Sequence, residues 1–126
     1  MRLSVATLGV LSDTVARPAY DFTAQGVGIV HFGIGAFHRA HMAWYTDRAM
    51  AKGERDWRIM GVSLRSAGVA DQMNPQDGLY TVSKRSAAGT DVRVIGSVAG
   101  VLVAATQRAE VVAAIAAPTT HIVSFT

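Results

Sequence analysis

The sequence predicts an α/β fold, a mostly parallel sheet interrupted by one antiparallel hairpin. Three observations predict it. Ile29 to Gly33 is a short apolar run ended by glycine, as suits a strand buried on both faces. A segment with helical period and a second apolar run, Arg58 to Leu64, follow within about 35 residues, the length of a βαβ unit. Farther on, "DGLYTVSKR" and "DVRVIGSV" flank the turn-rich "SAAGT", which reads as a hairpin.

The elements follow in order. Residues 1–27, with Pro18, Tyr20, Phe22 and Gly26, read as an irregular arm packed on a domain that occupies 28–126. After the first strand, Phe37, Ala40, Trp44 and Tyr45 recur at helical spacing. They mark a buried face, with Arg39, Thr46 and Asp47 elsewhere around the axis. This helix is expected to run to Ala51 and to end near Gly53. Residues 67–73 form a short helix closed by Asn74-Pro75. Thr106 caps a last helix in which Ala109, Val112, Ala113 and Ala116 share one face, and Pro118 follows its end. "HIVSFT", 121–126, is a β-branched strand that joins 29–33 and 58–64 in the parallel core. A strand of this kind ordinarily feeds a loop and a covering helix, so the chain is read as part of a longer protein.

Composition narrows the function. At 126 residues the chain fits one domain, and with 50% hydrophobic and 17% charged residues it is a core-forming sequence. The net charge is +3, without a basic stripe interleaved with aromatics, so nucleic acid is not an expected partner. Cysteine is absent, which removes disulfides, thiolate metal sites and thiol nucleophiles and fits a reducing, cytoplasmic setting. No apolar run approaches the roughly 20 residues that span a bilayer, so no membrane partner is expected.

The chemistry concentrates in "GIVHFGIGAFHRAH", 28–41. Gly33 and Gly35 stand where strand gives way to helix. A dinucleotide site needs small residues there, because a Cβ would block the approach of the backbone to the diphosphate. The third glycine of G-x-G-x-x-G falls at position 38, which here is His38. At the end of the second strand the ribose-binding carboxylate is missing. Arg65 stands there instead, open to three readings: pairing with a 2′-phosphate, stacking on adenine, or solvation. His38 and His41, three apart, lack a third ligand, so they read as a helix-surface pair and no metal site is expected. His31 reads as a hydrogen-bonded sheet histidine, and Trp44 and Tyr45 as core. No G-x-S-x-G elbow occurs, and Ser63, Ser66 and Ser97 have no patterned base, so no catalytic residue is assigned.

As a string, "IVHFGIGAFHRAHMAWYTD" resembles the amino-terminal segment of the long-chain mannitol dehydrogenase family, which includes mannitol 2-dehydrogenases and fructuronate reductases (mannonate oxidoreductases). "VARPAYD", "GVSLRS", "QDGLYTV", "RVIGSV" and "HIVSFT" carry the resemblance through nearly the whole chain, in order. It implies a Rossmann-like domain that binds NAD, with NADP the alternative. It implies that Gly33, Ile34, Gly35, Ala36, Phe37, His38 and Arg39 surround the diphosphate, and that Leu64 and Arg65 lie near the adenosine ribose. It also implies that the catalytic lysine belongs to a helical domain beyond this segment. The expected function is the cofactor-binding portion of an oxidoreductase that moves a hydride between NAD(P) and a polyol or sugar acid. The competing readings are a non-catalytic nucleotide-binding or interaction module complete at this length and, more weakly, an S-adenosylmethionine-type site.

Overall fold

The computed structural model describes residues 1–126. Seven strands form two sheets. The main sheet contains β2 (Val27–Phe32), β3 (Arg58–Ser63), β6 (Val98–Val103) and β7 (Ile122–Phe125) in the order β6-β3-β2-β7, every pair parallel. The small sheet contains β1 (Val15–Ala16), β5 (Gly89–Ile95) and β4 (Tyr80–Ser86). In it β4 and β5 form the antiparallel hairpin, and β1 pairs with β5 in parallel.

The main sheet is built on its apolar runs. Ile29 and Ile59 point into a core shared with Ile34, Ala43, Met73, Tyr80 and Ile95 on one face. Val30 and Val62 point the other way, against Val111 of α4 (Arg108–Ala116). This is the two-sided burial that a continuous apolar strand encodes. The helical cover of the first face comes from α1 (Ala36–Ala40), α2 (Met42–Ala51) and α3 (Gly68–Met73). Phe22 of the arm packs with Leu79 and Val94, so the leading segment lies against the small sheet.

Several details depart from the sequence expectation. The helix expected from Phe37 to Ala51 is broken at His41, where φ is −119° and ψ −83°. The Tyr80 hydroxyl donates to the Arg39 carbonyl at 2.6 Å, and a side chain inserted into the helical ladder bends the helix. The face turned to the core is Ala43, Asp47 and Met50, whereas Phe37, Ala40 and Tyr45 are exposed and only Trp44 of the expected set packs on the core. Asp47 takes the inward position because Tyr20 and the Gly96 amide both donate to it.

The second hairpin strand ends at Ile95, not Val98, and a separate strand, β6, follows. Gly96 and Ser97 carry the chain from one sheet to the other. This joint is held by the Ser97 hydroxyl on the Ala43 carbonyl and by the Arg58 guanidinium on the carbonyls of Gly96 and Val98. In α4 the N-cap position is Gln107, whose side chain accepts from the Val103 amide, and not Thr106. The sheet takes Val111 and Ala114, leaving Ala109, Val112, Ala113 and Ala116 exposed.

Candidate functional site

In the main sheet β3 and β6 lie on one side of β2 and β7 on the other. The chain order therefore reverses between β2 and β7. In open parallel sheets this switch point, outside the carboxyl ends of the strands, is where ligands bind. The glycine turn leaves β2 at that point.

Gly33 has φ +93°, a left-handed conformation that suits glycine, and its amide donates to the Val62 carbonyl at 2.9 Å. A Cβ there would stand 3.2 Å from the Thr126 Cβ at the end of β7. The Gly35 amide closes the turn on the Gly33 carbonyl at 2.7 Å. Gly35 itself is extended and exposed, and a Cβ built on it meets nothing within 4 Å. The space above Gly35 is thus open, and a side chain would fill it. The first-turn amides of Ala36, Phe37 and His38 enter no backbone bond of the chain and precede the helical ladder.

The nine residues singled out from the sequence divide by direction. Gly35, Ala36 and Phe37 are at the surface of the turn, and Leu64 and Arg65 are exposed at the end of β3. Gly33 is partly covered by Thr126. Ile34 turns inward and packs on the helix-covered face of the sheet against Gly61, where a Cβ would meet it at 2.8 Å. Arg39 is half-buried, and its Nε is enclosed without a partner.

His38 also turns inward. The helix-surface pair expected of His38 and His41 does not form: His38 is buried, and the helix breaks at His41. The His38 ring stacks on His31 with centroids 3.7 Å apart and planes 14° from parallel. It occupies the layer that a third glycine would have left thin, between helix and strand. His31 is the sheet histidine expected, with Nδ1 2.7 Å from the Ser124 hydroxyl and Nε2 2.6 Å from that of Thr126. Sequence reasoning did not single out those two partners. The signal was present: Ser124 and Thr126 are two apart on a strand, so they share a face.

Burial pushes His38 down to about 4, helped by the neighbouring His31, and burial also lowers His31 from its ordinary value. Both rings are neutral in the fold near pH 7. Their folded values lie below the unfolded ones, so the unfolded chain binds more protons at mildly acidic pH. The stability from the neutral pair is therefore complete above pH 6.5 and is lost as pH falls towards 4. Urea denaturation at stepped pH is expected to show this decline, at no more than about 1.4 kcal/mol per pH unit for each proton. His38→Phe is expected to flatten it.

Comparison with known proteins places this geometry. Residues 27–126 match the family model described as the mannitol dehydrogenase Rossmann domain. The mannitol 2-dehydrogenase of Pyricularia oryzae is 44% identical over 126 residues, covering 97% of this chain and 25% of that protein. That of Pyrenophora tritici-repentis is 43% identical, covering 100% and 23%. Pseudomonas fluorescens mannitol 2-dehydrogenase, solved as a ternary complex with NAD and D-mannitol, superposes with a TM-score of 0.92 at 40% identity, over 100% of this chain and 26% of that one. A D-sorbitol dehydrogenase in substrate-free form superposes at 0.91 with 34% identity, over 100% of this chain and 27% of that one. The chain thus spans about a quarter of the length of the relatives it matches. With its parallel sheet, its glycine turn at the switch point and this match over 27–126, the chain belongs to the mannitol dehydrogenase family.

Proposed function

We propose that this chain is the dinucleotide-binding part of an NAD(P)-dependent oxidoreductase acting on a polyol or sugar acid, with residues 1–27 as an arm and 28–126 as the binding domain. The observation that carries the reading is the open space over Gly35 at the switch point, which a Cβ would fill and which the approach of a diphosphate to the turn backbone requires. The backbone of Gly33, Gly35, Ala36 and Phe37 would face the diphosphate. Ile34 and His38 would support that backbone from beneath, with Arg39 beside them. Leu64 and Arg65 would lie by the adenosine ribose. NAD, when bound, supplies the hydride acceptor. The chain's own part is to bind and orient it, and no residue here is assigned the base. The ternary complex of the Pseudomonas enzyme, which holds NAD and D-mannitol, supports a nicotinamide dinucleotide and a polyol as the partners. No helix of the structure is long and apolar enough to cross a membrane.

Titration of the chain with NADH and NADPH, followed by nicotinamide fluorescence, tests this reading. Saturable binding of either supports it, and no binding of either removes it. The cofactor choice rests on Arg65, the cation at the end of β3 where a carboxylate would favour NAD. If Arg65 holds a 2′-phosphate, Arg65→Ala is expected to weaken NADPH by about 1.5–3 kcal/mol and to spare NADH. Equal losses would assign Arg65 to adenine stacking, and no loss to solvent. The family resemblance favours NAD.

A further inference from the structure

At the switch point the glycine turn with α1 stands on one side and the end of β7 on the other. One group of side chains joins them. His31 lies in β2 directly opposite Ser124 of β7 in the strand register. Its two nitrogens reach the hydroxyls of Ser124 and Thr126, so His31 ties β2 to β7 and to the residue that follows it. A neutral imidazole has one donor and one acceptor nitrogen, and hydroxyls satisfy both. On its other face His31 carries the His38 ring at 3.7 Å, and His38 is the third residue of α1.

His38 is held differently. It is 2% exposed, yet its Nε2 has no hydrogen-bond partner. An unpaired buried nitrogen is costly, so hydrogen bonding by that atom does not explain why the ring is inside. What the ring gains is its flat contact with His31. In the glycine-turn pattern a third glycine at this position lets helix and strand approach closely. Here a ring fills that layer, stacked on the His31 ring of β2.

We propose that the stacked His31–His38 pair is the positioning element of the dinucleotide site, setting the height of the Gly35–Phe37 backbone above the sheet and locking that turn to the end of β7. Neither ring touches the cofactor. Both are positioning residues, His38 by the thickness of its ring and His31 by its two hydroxyl anchors. The inference rests on the proposed dinucleotide site and adds to it the residues that shape the diphosphate subsite.

The test uses the full chain, with NADH and ADP as ligands that carry a diphosphate and adenosine as one that does not. His38→Ala, which removes the ring, is expected to weaken NADH and ADP at least tenfold and adenosine less than twofold. His38→Phe, which keeps a flat ring and no nitrogen, is expected to restore both ligands to within threefold of wild type. Thr126→Val and Ser124→Ala approach the pair from β7 and leave the turn intact, so they serve even if His38→Ala does not fold. Each is expected to weaken ADP severalfold. A folded His38→Ala that binds ADP as wild type does would overturn the proposal. So would a His38→Phe as weak as His38→Ala, or β7 variants without effect should His38→Ala not fold. A wild-type chain that binds neither NADH nor ADP removes the dinucleotide reading itself, and this proposal with it.

Discussion

Valine at position 35 is expected to lower NADH affinity by on the order of a hundredfold or more, equivalent to about 2.7 kcal/mol, while the fold survives. The two effects separate because of where Gly35 lies. Its backbone is extended and needs no positive φ, and a Cβ there meets no atom of the protein within 4 Å. The cost to the free chain is confined to a poorer N-cap for α1, about 1 kcal/mol or less. A branched side chain nevertheless stands in the space through which a diphosphate would approach the turn. Gly33 does not separate them, because it has φ +93° and a Cβ there would crowd Thr126 at 3.2 Å. Thermal melts paired with NADH titrations of Gly35→Val check the expectation. Unchanged affinity in a folded variant would remove the turn from the site.

Asp47→Ala is expected to be the most destabilising of the substitutions considered, costing about 3–4 kcal/mol and lowering Tm by roughly 10–15 °C. Asp47 is 1% exposed, and its Oδ1 accepts from the Tyr20 hydroxyl at 2.6 Å and from the Gly96 amide at 2.8 Å. Alanine leaves both donors enclosed without an acceptor, at about 1–3 kcal/mol each. The carboxylate thereby joins the arm, α2 and the joint between the two sheets. Burial raises its pKa from the ordinary carboxylate value, and the other oxygen, Oδ2, is enclosed without a partner. Asp47→Asn, which keeps the accepting oxygen and removes the charge, is expected to cost about 1.5 kcal/mol or less. The sign of the pH effect is opposite to that of the histidines. The folded state holds the extra proton, so Asp47 costs stability as pH rises above the ordinary carboxylate range. Chemical denaturation of the two variants at neutral and mildly acidic pH measures both effects.

The residues that the sequence analysis read well are those whose role is backbone conformation or continuous burial. The run ending at Gly33, the strand at 58–63, the hairpin and the short helix Gly68–Met73 belong to this class, although a 3-10 turn carries on through Asn74–Gln76 where Asn74-Pro75 was expected to close it. The misreadings are of residues whose burial depends on a distant partner. Asp47 looks like a solvent-facing residue until Tyr20 and Gly96 are brought beside it. His38 looks like a surface histidine until β2 supplies a ring to stack on. The faces of α2 and α4 were assigned by hydrophobicity alone, and in both the sheet selected a neighbouring stripe. Strand β6 was missed because Gly96-Ser97 interrupts one apolar stretch without the length or polarity that marks a loop. Of the candidate site, the glycine turn was legible. The shared face of Ser124 and Thr126 was legible as well, but not that His31 is their partner, since that pairing joins residues 93 and 95 apart in sequence.

That separation also sets an order of assembly for the main sheet. Ile29 pairs with Ile59, and Ile59 with Val98, across intervals of moderate length. The partner of Ile29 on its other side is Ile122, 93 residues along the chain, so this pairing closes a far longer loop than the other two. Each longer loop closure adds only slowly to the entropic cost, but the contact must wait until the distant strand has been synthesised. During that interval one edge of β2 has exposed amides and carbonyls, and His31 lacks both of its hydroxyl partners. A nascent chain is most open to misassociation in that state. The Gly33 turn therefore meets Thr126, at the end of β7, only once that distant segment has been made.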